Sequence, residues 1–146
     1  NGFECRFIEL AGQVNSSMPE YVVTRVAEAL NSVKKPINGS RIHMFGIAYK
    51  RDVNDMRESP ALDIMELLIR RGATVTYSDP WVPSFAHGGH EMDEVPFDKA
   101  VATDYDCVVI ATDHASFDYR RISTMPLVVD TRNAIKGKAG PHVFGL

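Results

Sequence analysis

The sequence predicts an α/β protein with a parallel sheet covered by helices on both faces. Three observations carry this. From Arg41 onward short runs rich in β-formers recur, among them RIHMFGI, ATVTYS and DCVVIA. Helical or loop segments separate these runs, the pattern of parallel strands joined by crossovers. One intervening segment, ESPALDIMELLIRRG, carries a complete set of helix start and stop signals.

Taken in order, the chain opens with two helical segments. The first has Phe7, Leu10, Ala11 and Val14 at helical spacing. Ser17 and Glu20 then form an S-x-x-E capping box, and Pro19 is tolerated in a first turn, so a second helix starts near Met18. Its apolar stripe is Met18, Val22, Val26, Ala29, Leu30 and Val33, which packs either on its own domain or against a neighbouring domain or subunit. KKPINGS reads as a linker. Strands follow at about 41–47, 73–78, 106–111, 127–130 and 142–145. The helix after the first strand has Ser59 as N-cap, Pro60 at N1 and Gly72 at its end. Ala61, Ile64, Met65 and Leu68 face the sheet, while Glu66 and Arg70 form an outward i,i+4 pair. The expected fold is a three-layer, doubly wound, Rossmann-like sheet of five parallel strands, order 3-2-1-4-5 favoured, preceded by two helices.

Composition sets outer limits on function. The 146 residues are 45% hydrophobic and 24% charged with a net charge of -3, which suits one globular domain and argues against a nucleic-acid partner attracted by bulk charge. No apolar run is long enough for a membrane span, which takes roughly 18 residues, and no signal-peptide pattern opens the chain. Cys5 and Cys107 show neither a CxxC pair nor zinc spacing, so a reduced, cytoplasmic protein is expected. There is no initiator Met, and the chain is expected to be part of a longer protein.

Ligands in open α/β sheets bind beyond the carboxyl ends of the strands, where strand order reverses. That rule selects Tyr49, Lys50 and Arg57 after the first strand, Asp79 after the second, Thr112, Asp113 and His114 after the third, and Arg132 and Asn133 after the fourth. In the order 3-2-1-4-5, strands one and four are neighbours, so Lys50 and Arg132 come together. A point charge beside a planar guanidinium suits a phosphate or diphosphate. The bland alternative pairs Lys50 and Arg57 with Asp52, Asp55 and Glu58 in a solvated loop. FGIAYK has a single glycine where a dinucleotide fingerprint needs G-x-G-x-x-G, so side chains are expected to hold the phosphates. Asp79 reads either as a ribose contact or as a strand end and turn start. His87 and His90 lack an evident third ligand, Asp113 beside His114 lacks a nucleophile, and Cys107 sits in an apolar strand; no metal site and no catalytic residue is assigned.

GIAYKRDVNDMRESPALDIMELLIRRGATVTYSDPWVP, followed by YDCVVIATDHASFDY and LVVDTRNA, resembles the C-terminal domain of the nucleotide-sugar 6-dehydrogenases, which include UDP-glucose and GDP-mannose dehydrogenases. The wording is similar to the UDP-N-acetylglucosamine 6-dehydrogenase branch. The resemblance implies that residues 1–36 end the family's central, dimerisation domain and that 37–146 form its UDP-sugar-binding domain. It implies that Tyr49, Lys50 and Arg132 contact the nucleotide sugar and that Arg57 reaches the diphosphate of NAD. Arg51 has no counterpart role and is expected to be a solvated charge. By the same resemblance the NAD domain and the catalytic cysteine and lysine belong upstream, the whole enzyme oxidises the sugar's C6 alcohol twice with two NAD, and the assembly is a homodimer without nucleic-acid or membrane partners. With its upstream neighbour elsewhere, the Met18 to Val33 stripe is expected to seek a partner helix. A stand-alone flavodoxin-like nucleotide-binding or regulatory module without catalysis is the alternative.

Overall fold

The structure, a computed structural model, describes residues 18–49, 51–52, 59–87, 89–137 and 140–146, with His90 described by its backbone alone. The expected first helix, Ser17, Cys5, Lys50, Asp55, Arg57 and Glu58 lie outside the described residues. Residues 18–32 are helical and are termed α1. Then follow β1 (Arg41–Phe45), α2 (Pro60–Arg70), β2 (Thr74–Ser78), the hairpin β3 (Ser84–His87) and β4 (His90–Asp93), α3 (Phe97–Val101), β5 (Cys107–Ile110), α4 (Tyr119–Ser123), β6 (Val128–Asp130) and β7 (Val143–Phe144).

Five strands form one parallel sheet, and all five lie where the sequence places them. Their order is β2-β1-β5-β6-β7, or 2-1-3-4-5 counted along the chain, which corrects the favoured 3-2-1-4-5. Two facts explain it. All four residues of β5 are buried, and a strand covered on both faces belongs at the centre of a sheet rather than at the edge that 3-2-1-4-5 would give it. The outer edge of β2 is also occupied: the Val95 N–H donates to the Tyr77 carbonyl at 2.8 Å, and the Ser78 hydroxyl donates to the Val95 carbonyl. The reversal therefore falls between β1 and β5, and β5 separates β1 from β6.

Successive strand residues point to opposite faces, and the core divides accordingly. Ile42 and Met44 of β1 and Cys107 and Val109 of β5 join α1 and α2 in one cluster. Phe45, Val108 and Ile110 join Ala100 of α3 and Ile122 of α4 in the other. In α1, Val22, Val26, Ala29 and Leu30 are buried in the first cluster. The chain's own core, sheet and α2 together, rather than a partner helix, buries that stripe, which ends before Val33, 47% exposed.

The α2 signals act as expected. Ser59 Oγ accepts from the Ala61 N–H at 3.3 Å, Pro60 opens the helix, Gly72 follows it with φ 95°, and Glu66 pairs with Arg70 at 3.0 Å. The hairpin is inserted between β2 and α3 and sets His87 opposite His90 in register.

Candidate functional site at the strand ends

The turn after β1 is held on every side. Gly46 has φ 88°, and a Cβ there would meet Thr112 at 2.5 Å, so the lone glycine of FGIAYK serves the close approach of the β5 loop. The Gly46 N–H donates to the Ser78 carbonyl at 2.8 Å. The Thr112 hydroxyl donates to the Ala48 carbonyl at 2.6 Å, and the Ser59 hydroxyl to the Ile47 carbonyl at 2.7 Å. Asp79 Oδ2 accepts from the Ile47 and Ala48 N–H groups at 2.8 and 3.0 Å. Burial opposes ionisation of Asp79, but the bond from His114 and these two amides outweigh it and hold the carboxyl below its ordinary value. Asp79 is thus a fully buried brace within the turn, the second of its two sequence readings.

This decides how the turn could meet a cofactor. In a dinucleotide-binding turn the amides following the strand face a diphosphate. Here two of those amides already serve Asp79, and Thr112 fills the space beside Gly46. The β1 turn does not fit the diphosphate of NAD.

The β6 loop is shaped by Asp130, 5% exposed, whose carboxylate accepts from the Arg132 and Ala134 amides at 3.1 Å and the Ile135 amide at 2.9 Å. Such a side-chain-to-backbone turn sets Arg132 at the strand end and lets Asn133 adopt φ 53°. An Asp ending a strand, with amides two to five residues on, is a signal the sequence reading passed over.

Tyr49 and Arg132 line one cleft of about 140 Å³ with Met18, Pro60, Ile64 and Thr131. Between β1 and β6 lies the β5 loop, and its Asp113 is flanked by two guanidiniums: Arg51 bonds to one carboxylate oxygen and Arg132 lies 3.6 Å from the other. Burial opposes ionisation of Asp113, but these two cations hold its carboxyl below the ordinary range. Arg51 is therefore an ion-pair partner at the site rather than only a solvated charge, though its side chain is 61% exposed. A second cleft, of about 300 Å³, joins Arg51, Asp113, Tyr119, Arg132 and Lys136. Lys50 and Arg57 lie outside the described residues, so the expected meeting of Lys50 with Arg132 at adjacent strands is corrected only in its topology: the strands are not neighbours, and β5 supplies the residue between them.

Other sequence candidates take structural places. Cys107 is 1% exposed, and burial pushes its thiol up to about 12, leaving it a core residue without nucleophilic character at neutral pH. His114 is wholly buried and bonded to Asp79 at 2.8 Å, a pairing across 35 residues that no local pattern signals. Among the described residues no three His, Cys, Asp or Glu side chains converge on a metal position, and no helix is long and apolar enough to cross a membrane.

The arrangement is a doubly wound α/β domain whose reversal point gathers an aromatic ring, two guanidiniums and a bridging carboxylate, on loops held by buried polar groups and without a glycine-rich phosphate turn. Residues 43–137 match the model of the UDP-glucose/GDP-mannose dehydrogenase family, UDP binding domain. The chain belongs to that family. It is 37% identical over 112 residues to the UDP-N-acetyl-D-mannosamine dehydrogenase of Methanococcus maripaludis, covering 77% of this chain and 24% of that protein. It is 27% identical to the UDP-N-acetyl-D-glucosamine 6-dehydrogenase of Pseudomonas aeruginosa, over 80% of this chain and 27% of that protein. The solved UDP-D-ManNAc dehydrogenase of Pyrococcus horikoshii superposes with a TM-score of 0.76 at 30% identity, over 94% of this chain and 32% of that one. The chain thus spans about a quarter to a third of the length of these relatives.

Proposed function

We propose that this chain is the UDP-sugar-binding part of an NAD-dependent nucleotide-sugar 6-dehydrogenase, and that Tyr49, Lys50 and Arg132 hold the nucleotide. The observation that carries this is the placing of Tyr49 and Arg132 on one cleft at the reversal point, inside the residues that match the UDP-binding domain. Arg132 supplies a planar fork for phosphate oxygens, and one of its Nη atoms lies 3.6 Å from the Asp113 carboxylate. Lys50 adds a point charge. The substrate class is a UDP-N-acetylhexosamine, the class named for both curated relatives, and UDP-N-acetylglucosamine is the member favoured by the sequence wording.

NAD, when bound, supplies the hydride acceptor for oxidation at C6. The described part of the β1 turn has no place for its diphosphate, and the cofactor contact proposed for this chain is Arg57, as the family resemblance implies. Residues 1–36 are read as the end of a dimerisation domain whose last helix, α1, also packs into the core of the UDP-binding part, and a cytoplasmic homodimer is the assembly the family resemblance implies.

Calorimetric titration of UDP into the chain tests the reading. Each cation that meets a phosphate oxygen contributes about 1.5 to 3 kcal/mol, so Lys50→Ala and Arg132→Ala should each weaken binding more than tenfold. Arg57→Ala should bind UDP as the unaltered chain does. Equal affinities throughout would mean that Lys50 and Arg132 are surface charges.

A further inference from the structure

We propose that Asp79 and His114 are positioning residues, a buried clamp that holds Ile47 and Ala48 at one side and Asp52 at the other of the segment after β1, and so fixes the backbone that carries Tyr49 for nucleotide binding. The inference rests on the nucleotide reading above and adds to it the device that gives the turn its form.

Asp79 lies at the end of β2 and His114 in the loop after β5, one on each side of the β1 turn. Both side chains are 0% exposed. Asp79 Oδ2 takes the Ile47 and Ala48 amides at one end of the turn. At the other end the Asp52 N–H donates to His114 Nδ1 at 2.7 Å. A backbone amide can only donate, so Nδ1 is the acceptor, the ring proton sits on Nε2, and Nε2 donates to Asp79 Oδ2 at 2.8 Å. Asp52 has φ 58° and closes the circuit by accepting from the Ala115 amide at 2.9 Å. In sequence the residues between the two held ends are Tyr49, Lys50 and Arg51, and the first two are among the residues that the nucleotide reading assigns to the ligand.

A role confined to stability would not need this arrangement. Burying a carboxylate is unfavourable unless every lone pair is met, and apolar packing of similar volume stabilises at least as well. Asp79 is met by four donors: Ile47, Ala48, the Trp81 amide at 2.9 Å and His114. Three of these four tie it to the turn or to His114. The clamp also sets the neighbour of His114, Asp113, against Arg51 and Arg132. One buried pair thereby couples the β1 turn to the guanidinium of the β6 loop.

His114→Gln, His114→Asn and Asp79→Asn in the 146-residue chain separate the two halves of the clamp. A Gln amide reaches the Nε2 position and keeps the contact with Asp79 but cannot accept from Asp52; an Asn oxygen takes the Nδ1 position and accepts from Asp52. Three readouts are taken: UDP affinity by calorimetry, amide hydrogen exchange at residues 47, 48 and 52, and the melting temperature. His114→Gln should lose at least about tenfold in UDP affinity with faster exchange at residue 52 while exchange within β1 and β5 is retained, and His114→Asn should restore most of both. Asp79→Asn should speed exchange at 47 and 48 and carries the test if a His114 variant fails to fold. Unaltered affinity and unaltered exchange at 47, 48 and 52 in His114→Gln and Asp79→Asn would overturn the clamp, as would a loss of protection spread evenly through the sheet with affinity unchanged. If the unaltered chain does not bind UDP, or Arg132→Ala binds as well as it does, the nucleotide reading fails instead, and the clamp stands or falls on the exchange at those three amides.

Discussion

His43 shows what burial does to a single titratable side chain. It lies at 0% exposure on β1, bonded to the Thr76 and Ser78 hydroxyls at 2.7 Å and stacked on Tyr105, and burial pushes its pKa down from 6.5 to about 3. The unfolded chain binds a proton near pH 6.5 that the folded chain refuses until about pH 3, so the unfolded state holds more protons in between. The contribution of His43 is therefore complete above pH 6.5 and is lost as pH falls through that window. Glu94, raised by burial, works in the opposite sense just above its ordinary 4.5, and the depressed Asp79, Asp106 and Asp113 matter only below about 3.8. Melting followed between about pH 7.5 and 5 should show a falling midpoint, flatter in His43→Gln. Gly46 makes a second prediction at this scale. Gly46→Ala puts a Cβ into Thr112 at a positive φ, so a loss of at least about 1–2 kcal/mol is expected by chemical denaturation, from backbone strain before the collision is counted.

Among the elements, α1 and α2 differ in what holds them. α2 is specified locally: its cap, its opening proline and its terminal glycine all act as their chemistry predicts. Ser59 does more than cap, since its hydroxyl also satisfies the Ile47 carbonyl, so Ser59→Ala should cost about 1 to 2 kcal/mol in a denaturant titration, at or above the usual cap value. α1 depends on the sheet. Leu30 is 0% exposed within the first cluster, and Leu30→Ala should destabilise by about 2–5 kcal/mol, whereas Val33→Ala, one turn on and exposed, should change stability by less than about 0.5 kcal/mol. Equal effects at the two positions would mean that α1 is not seated on the sheet.

In the whole molecule the consequence is that α1 closes one face of the three-layer sandwich. A chain beginning at residue 37 would leave the sheet residues of the first cluster without that cover, and we expect it to melt without the cooperative transition expected of the 146-residue chain. The chain by itself, mixed with UDP-N-acetylglucosamine and NAD, should yield no NADH by absorbance, because it spans only about a quarter to a third of the length of the dehydrogenases it resembles and its Cys107 is buried.

What the sequence determined by itself is the set of local matters. The positions of the five strands of the parallel sheet, the α2 caps, the helical reach of α1 and the apolar placing of Cys107 each follow from the side chains of one short segment and their spacing, and each is where the sequence puts it, whereas the sequence reading does not place the β3–β4 hairpin. Tertiary structure decided the relations between segments. Periodicity states that β5 is buried on both faces but does not by itself name its neighbours; those follow from which edges are already occupied, and the occupied edge of β2 sends β5 to the other side of β1. Arg51 finding Asp113, Asp79 finding His114 and α1 finding the sheet join positions far apart in the chain, and their pairing depends on distances that exist only once the sheet is assembled. The residue types at the strand ends could therefore be read as an anion site from sequence, while the buried bonds that give that site its shape are a property of the fold.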